Sequence, residues 1–86
     1  MDNAEVIVLR LELQWFAEKM EQVLRKNDWK NGWKDMEGEE ALERLEEELD
    51  ELKAAMSSVR PNKIVEEATD VANFAMFIAY NEAKTN

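Results

Sequence analysis

The chain has 86 residues, a length that accommodates one small domain, residues 1–86. It contains no cysteine and no histidine, which excludes disulfides, zinc–thiolate sites, thiol nucleophiles and the commonest general base. Its 20 acidic and 11 basic residues give a net charge of −9, which argues against a broad surface for nucleic-acid phosphates. We therefore expect any catalysis to use carboxylates, hydroxyls, lysines or a hard metal ion.

The sequence contains no stretch with the length of a membrane-spanning helix. The longest apolar-rich segment, residues 71–80, is interrupted by Asn73 and is far shorter than the roughly 20 residues of a span. No secretory signal is visible either. We expect a cytoplasmic protein that has neither a membrane nor a nucleic-acid polymer as its partner.

The first predicted helix is marked by apolar residues at spacings of three and four, from Leu9 through Phe16 to Val23. This spacing places them on one face of a helix. Residues 27–38 break the pattern and contain both glycines of the chain, so we expect a polar loop there. The segment before Trp15 packs either on its own subunit or on a neighbouring one.

Two further helices are predicted in the rest of the chain. Residues 39–56 carry a narrow apolar seam of coiled-coil spacing, formed by Leu42, Leu45, Leu49, Leu52 and Met56. Residues 61–83 begin at Pro61, where a first helical turn tolerates proline, and are apolar nearly all round from Val71 onward. A helix that is apolar on all sides is buried on all sides. The predicted fold is therefore all-α, an antiparallel bundle of about three main helices per chain, completed by oligomerisation.

Two pairs of acidic residues form the candidate site. Glu48 and Glu51 lie three residues apart on the second predicted helix, and Glu67 and Asp70 lie three apart on the third. Residues at this spacing share one side of a helix, and two antiparallel helices bring such pairs face to face. Four carboxylates repel one another unless a divalent cation lies among them. An all-oxygen ligand set favours Mg²⁺, with Mn²⁺ as a substitute.

The positions of two of these acids on their helices support a site. Glu48 falls about 70° from the centre of the leucine seam, at the edge of the predicted buried face. Asp70 shares one side of its helix with two phenylalanines, where a carboxylate without a partner is costly to bury. The competing interpretation is an ion pair inside the bundle between Asp70 and Arg44 or Lys53.

The motifs around these acids resemble those of the MazG-like all-α nucleotide pyrophosphohydrolases. Residues 47–51 (EELDE), followed after 15 residues by residues 67–70 (EATD), resemble the family's E-E-x-x-E…E-x-x-D signature. Residues 70–76 (DVANFAM) resemble the D-x-A-N segment that follows this signature in many short members. Residues 24–33 (LRKNDWKNGW) resemble the K-x-N-x-x-K-G-x-W loop of small phage-type members. The resemblance covers about residues 15–82.

This resemblance implies an Mg²⁺-dependent enzyme that hydrolyses a nucleoside triphosphate to the monophosphate and pyrophosphate, as nucleotide-pool housekeeping. It implies four metal ligands, which are Glu48, Glu51, Glu67 and Asp70. It also implies that Glu47 and Glu48 are the catalytic acids, with Glu47 orienting or deprotonating the attacking water. Members of the family form dimers or tetramers, so a homodimer or homotetramer is expected.

Four further residues are candidate contacts to the nucleotide. Asn73 matches a family position that contacts the nucleotide, and its alternative is a core amide bonded across a helix pair. Lys26 and Lys30 are candidates for binding the phosphates, and their alternative is to be ordinary solvated charges. Trp33 is a candidate for stacking on the base, and its alternative is to pin the loop onto the bundle.

A function from a different class also fits the composition. A non-enzymatic acidic helical dimer that binds a protein partner accounts for the net charge of −9, the leucine seam and the small size. Such binding should be strongly salt-sensitive and independent of Mg²⁺.

Overall fold

A computed structural model of the chain describes residues 6–27 and 32–84. These residues form three α-helices, with a short 3-10 turn (Trp33–Asp35) between the first two: α1 (Leu11–Lys26), α2 (Gly38–Ser57) and α3 (Pro61–Lys84). No residue in the two described ranges belongs to a strand, which confirms the predicted all-α class for this part of the chain. Nor does any helix in these ranges have the length and apolar character needed to cross a bilayer.

The limits of α2 and α3 lie within one residue of the predicted ones, whereas α1 begins later than its apolar pattern indicated. Leu9, which the spacing placed on the helix, lies in the non-helical segment 6–10. Arg10 has an extended backbone (φ −68°, ψ 156°) and its side chain makes no capping hydrogen bond. The segment also contains three β-branched residues in succession, at positions 6–8, which have lower helix propensity than leucine or alanine.

α2 and α3 pack against each other in opposite directions. Arg44 contacts Phe74, and Glu48, one turn later on α2, contacts Asp70, one turn earlier on α3. Residues 58–60 form the short connection between the two helices. This antiparallel pair positions the acids of α2 opposite those of α3.

The side of α2 that faces α3 is not centred on the predicted leucine seam. Ala41 and Ala55 are the buried residues of α2, and Glu48 lies halfway between them on the same row. Alanines on this row allow the two helices to approach closely. The outer row of the seam, which we call the leucine row, remains substantially exposed: Leu42 (49%), Leu49 (37%) and Met56 (59%).

Two asparagines of α3 form hydrogen bonds to α1 and to the segment that contains the 3-10 turn. Asn73 donates from Nδ2 to the carbonyl oxygen of Met20 on α1, at 3.4 Å. Asn81 donates from Nδ2 to the carbonyl oxygens of Trp33 (2.9 Å) and Met36 (3.2 Å). The second asparagine therefore fixes the 3-10 turn beside the last turns of α3.

The apolar core within one chain is small. Among the described residues, the buried apolar side chains are Ala41, Ala55 and Phe77, and Tyr80 on α3 is 45% exposed. α3 is therefore not buried on all sides within one chain.

Candidate functional site

Three of the four predicted metal-ligating carboxylates converge between α2 and α3. Glu48, Glu67 and Asp70 each offer a carboxylate oxygen, and these three oxygens lie within 4.8 Å of one another. We call these three residues the acid triad. Within the described ranges no ion pair joins Asp70 to Arg44 or Lys53, and Arg44 pairs instead with a glutamate of its own helix.

Glu67 is the most deeply buried member of the acid triad, with 3% of its side chain exposed. Its Oε2 accepts a hydrogen bond from Nζ of Lys63 at 2.9 Å, and this bond raises the pKa of Lys63. Its other oxygen, Oε1, is buried without a hydrogen-bond partner among the described residues. A buried carboxylate oxygen in this condition is costly, so the atom marks a place for a donor or a cation.

Burial and mutual repulsion raise the pKa of the other two triad carboxyls. The pKa of Glu48 is raised to about 7, chiefly by burial and then by the charges of Asp70, Glu51 and Glu67. The pKa of Asp70 is raised to about 6, chiefly by burial and then by Glu67 and Glu66, while its hydrogen bond with Glu48 lowers it. Near neutral pH the metal-free triad retains part of a proton.

The two remaining predicted acids lie outside the triad. Glu51 is exposed, although its charge contributes to the raised pKa of both Glu48 and Asp70. It therefore lies near the triad without converging with it. Glu47 has a side chain that is 68% exposed, with its Oε1 3.6 Å from Nε of Arg44. The predicted role of Glu47 in activating water stays a prediction, and its outward position does not favour it.

A cleft of about 690 Å³ opens beside the acid triad. Residues from α1, the 3-10 turn, α2 and α3 line it, including Lys26, Trp33, Arg44, Glu48, Asp70, Asn73, Phe74 and Phe77. Its volume falls in the range of small-molecule sites, about 300 to 1,000 Å³. Because two members of the triad belong to its wall, a molecule bound in the cleft would reach their carboxylates.

Three of the four predicted nucleotide contacts line this cleft. Lys26 lies exposed near the end of α1. Asn73 is buried and bonded to α1, as its structural alternative required, but its Oδ1 has no partner among the described residues. Trp33 stacks on Phe77, with ring centroids 4.6 Å apart and an angle of 21°, so one of its faces is used in packing. Lys30 lies outside the described residues.

The structure adds residues that the sequence patterns did not select for the site. Arg44 was expected only as an ion-pair partner, yet it lines the cleft. Its spacing of four from Glu48 was the available signal, because it places both on one side of α2. Nothing in the sequence marks Asn81, whose two hydrogen bonds fix the turn that carries Trp33.

Comparison with known proteins identifies a relative of this chain. The chain is 37% identical over 62 residues to an uncharacterized protein of Archaeoglobus fulgidus, covering 72% of this chain and 67% of the archaeal protein. The chain belongs to the family of this archaeal protein. No family model matches the chain, and no solved structure matches it. The archaeal relative carries no assigned activity, so the function is argued from the site.

Proposed function

We propose that the protein is an Mg²⁺-dependent nucleoside triphosphate pyrophosphohydrolase of the MazG-like type, which forms the monophosphate and pyrophosphate. The observation that carries this proposal is the acid triad, with its buried and unpartnered Glu67 Oε1. The triad lies at the wall of a cleft large enough for a nucleotide. The motif resemblance supplies the reaction class.

The acid triad suits Mg²⁺ because all its ligand atoms are carboxylate oxygens, which hard divalent cations prefer. Mn²⁺ is the expected substitute. We propose Glu51 as the fourth ligand, since its charge already acts on Glu48 and Asp70. When bound, Mg²⁺ supplies positive charge for the phosphate oxygens and acidity for the attacking water, so no histidine is needed.

The remaining residues of the proposed site bind and orient the nucleotide. Lys26 supplies a positive charge for the phosphates, and Lys30 is proposed for the same task. Asn73, whose buried side chain belongs to the cleft wall, is proposed to contact the nucleotide, and the ring of Trp33 closes the aromatic end of the cleft. Of the two proposed catalytic acids, Glu47 and Glu48, the second is better placed because it belongs to the triad.

We also infer that the chain works as a homodimer or homotetramer. Among the described residues the buried apolar side chains are only Ala41, Ala55 and Phe77, so one chain alone has a small core, and association is a common way for a small domain to enlarge it. The leucine row is an exposed apolar surface on which a second copy can pack. A cytoplasmic role on the nucleotide pool completes the proposal, with no nucleic-acid polymer as partner for a chain of charge −9.

Pyrophosphate release from the eight common NTPs and dNTPs, with Mg²⁺ and with EDTA, tests this proposal. We expect release from some of them that requires Mg²⁺. Asp70→Asn should lower this rate by at least about a hundredfold, because it removes a metal ligand, and should leave the helical content unchanged. The matched control is Asp50→Asn, which removes the same charge from an exposed position on α2 and should retain activity.

Two results would contradict the proposal. One is a wild-type rate in Asp70→Asn, since the acid triad could then not be the metal site. The other is no release from any of the eight nucleotides by a folded protein. In that case the acidic binding module is the better account, and its partner binding should be salt-sensitive and independent of Mg²⁺.

A further inference from the structure

Arg44 lies where the acid triad and the aromatic part of the cleft meet. It precedes Glu48 by four residues on α2, so one helical turn, about 6 Å along the axis, separates them. Both residues line the cleft, as Asp70 does. Across the helix pair the cation lies over the ring of Phe74, with 5.3 Å between Cζ and the ring centroid. This contact places the guanidinium beside α3.

The ion pair of Arg44 leaves its charge available to a stronger anion. Its partner is Glu47, with 3.6 Å between Nε and Oε1, and the two side chains are 46% and 68% exposed. An exposed pair of this length is weak. A phosphate group offers several charged oxygens to the planar guanidinium and can bind it through two hydrogen bonds at once. A polyphosphate would therefore displace Glu47.

We propose that Arg44 binds the phosphate chain of the substrate beside the acid triad, an inference that rests on the proposed function. α3 arranges the cleft in order, with Asp70 followed one turn later by Phe74 and then by Phe77. If a nucleotide binds with its phosphates at the acid triad and its base at the aromatic rings, its phosphate chain lies next to Arg44. Lys26 is the other basic residue of the cleft wall within the described ranges.

Arg44 has an alternative role that the test must separate. Its charge lowers the pKa of Glu48, so it could act solely by balancing charge at the acid triad. In that case its loss would change the binding of a divalent cation in the absence of nucleotide. A phosphate-binding role predicts instead that the loss of Arg44 weakens the binding of the nucleotide and leaves the binding of the cation unchanged.

Steady-state kinetics and Mn²⁺ binding of Arg44→Gln and Arg44→Lys provide the test. For Arg44→Gln we expect KM for the nucleotide to rise at least about tenfold, the loss typical of a charged hydrogen bond, with a smaller change in kcat. Arg44→Lys should recover part of the loss, and Mn²⁺ binding without nucleotide should not weaken. The matched control is Lys53→Gln, which removes one positive charge from an exposed position on α2 and should leave KM unchanged.

Each other outcome has a distinct meaning. A wild-type KM in an active Arg44→Gln variant overturns the role of Arg44 and leaves the proposed function standing. A parallel loss of Mn²⁺ binding also overturns it, because Arg44 then acts through the metal. If the wild-type protein hydrolyses no nucleotide, the proposed function fails. The role of Arg44 is then tested by comparing the binding of inorganic tripolyphosphate, in the presence of Mn²⁺, by the wild-type protein and by Arg44→Gln. Loss of that binding in Arg44→Gln supports the proposal, and equal or absent binding in both proteins overturns it.

Discussion

Glu66 and Glu67 are adjacent and chemically identical, yet they have different surroundings. The side chain of Glu67 is 3% exposed and that of Glu66 is 47% exposed, although both lie near Nζ of Lys63. Only Glu67 belongs to the acid triad. The difference follows from helix geometry, because neighbouring residues project about 100° apart, and only one of the two can face α2.

The raised pKa values of Glu48 and Asp70 predict that the metal-free protein loses stability as pH rises. These values are about 7 and about 6 in the folded state, against ordinary values of 4.5 and 3.8. Between about pH 4 and pH 7 the folded state therefore binds more protons than the unfolded state, so the free energy of unfolding falls with increasing pH. We expect urea denaturation in EDTA to give a higher midpoint at pH 5 than at pH 7.5.

Two variants and one ligand identify the source of this dependence. Glu48→Gln should weaken it, because one of the two carboxyls with a raised pKa is gone, whereas Glu46→Gln at an exposed position of α2 should preserve it. Mg²⁺ should raise the midpoint more at pH 7.5 than at pH 5, since protons compete with the cation for the same oxygens. A wild-type midpoint in EDTA that increases over this pH range would show that the carboxyls do not control stability.

Among the structural elements, the connection between α2 and α3 has a strained residue at its centre. Arg60 N donates to Ala55 O at 3.5 Å and Val59 N donates to Met56 O at 3.3 Å, the two hydrogen bonds of a Schellman motif. Val59 occupies the left-handed position of this motif, with φ 52°. Glycine is the usual residue there, because a β-branched side chain is strained at positive φ.

Val59→Gly should therefore stabilise the protein by about 1 kcal/mol. The left-handed conformation costs an L-residue roughly 1–2 kcal/mol, and the greater freedom of glycine in the unfolded chain offsets about 0.4–1 kcal/mol of the gain. Val59 is 76% exposed, so little apolar burial is lost. Urea denaturation at fixed pH measures the change. Val59→Ala is the control, since it keeps the Cβ atom, and an alanine variant more stable than the glycine variant would refute the strain argument.

At the scale of the whole molecule, the exposed leucine row predicts that association completes the core. We expect sedimentation to detect a dimer or tetramer at micromolar concentration. The Leu49→Lys variant should be more monomeric than the wild type, because a charge in an apolar interface is costly. It should also be less stable, because association stabilises the folded chain. Ala54→Lys is the matched control. It adds the same charge to an exposed position of α2, well away from the leucine row.

Either of two sedimentation results would count against this assembly. A stable wild-type monomer at tens of micromolar would mean that the small core of one chain suffices. An oligomer unaffected by Leu49→Lys would mean that subunits meet on another surface. The second result would leave the proposed function unchanged, since the acid triad lies within one chain.

Local patterns in the sequence determined the helical class and the limits of α2 and α3. Pro61 at the first position of α3 and the apolar periodicity act within a few residues, so they can be read without knowledge of the fold. The pairing of Glu67 with Asp70 on one side of α3 is likewise a local property, because it depends only on a spacing of three. To that extent the candidate site could be predicted from the chain alone.

Only the tertiary structure decided which acids converge and what surrounds them. The rotation of α2 about its axis presents the row of Ala41, Glu48 and Ala55 to α3 and leaves the leucine row outside. That rotation places Glu48 in the acid triad and leaves Glu51 exposed. Periodicity identifies an apolar face, but the rotation and the register between two helices depend on how their side chains fit together. The unpartnered oxygen of Glu67 and the contact of Arg44 with Phe74 follow from that fit.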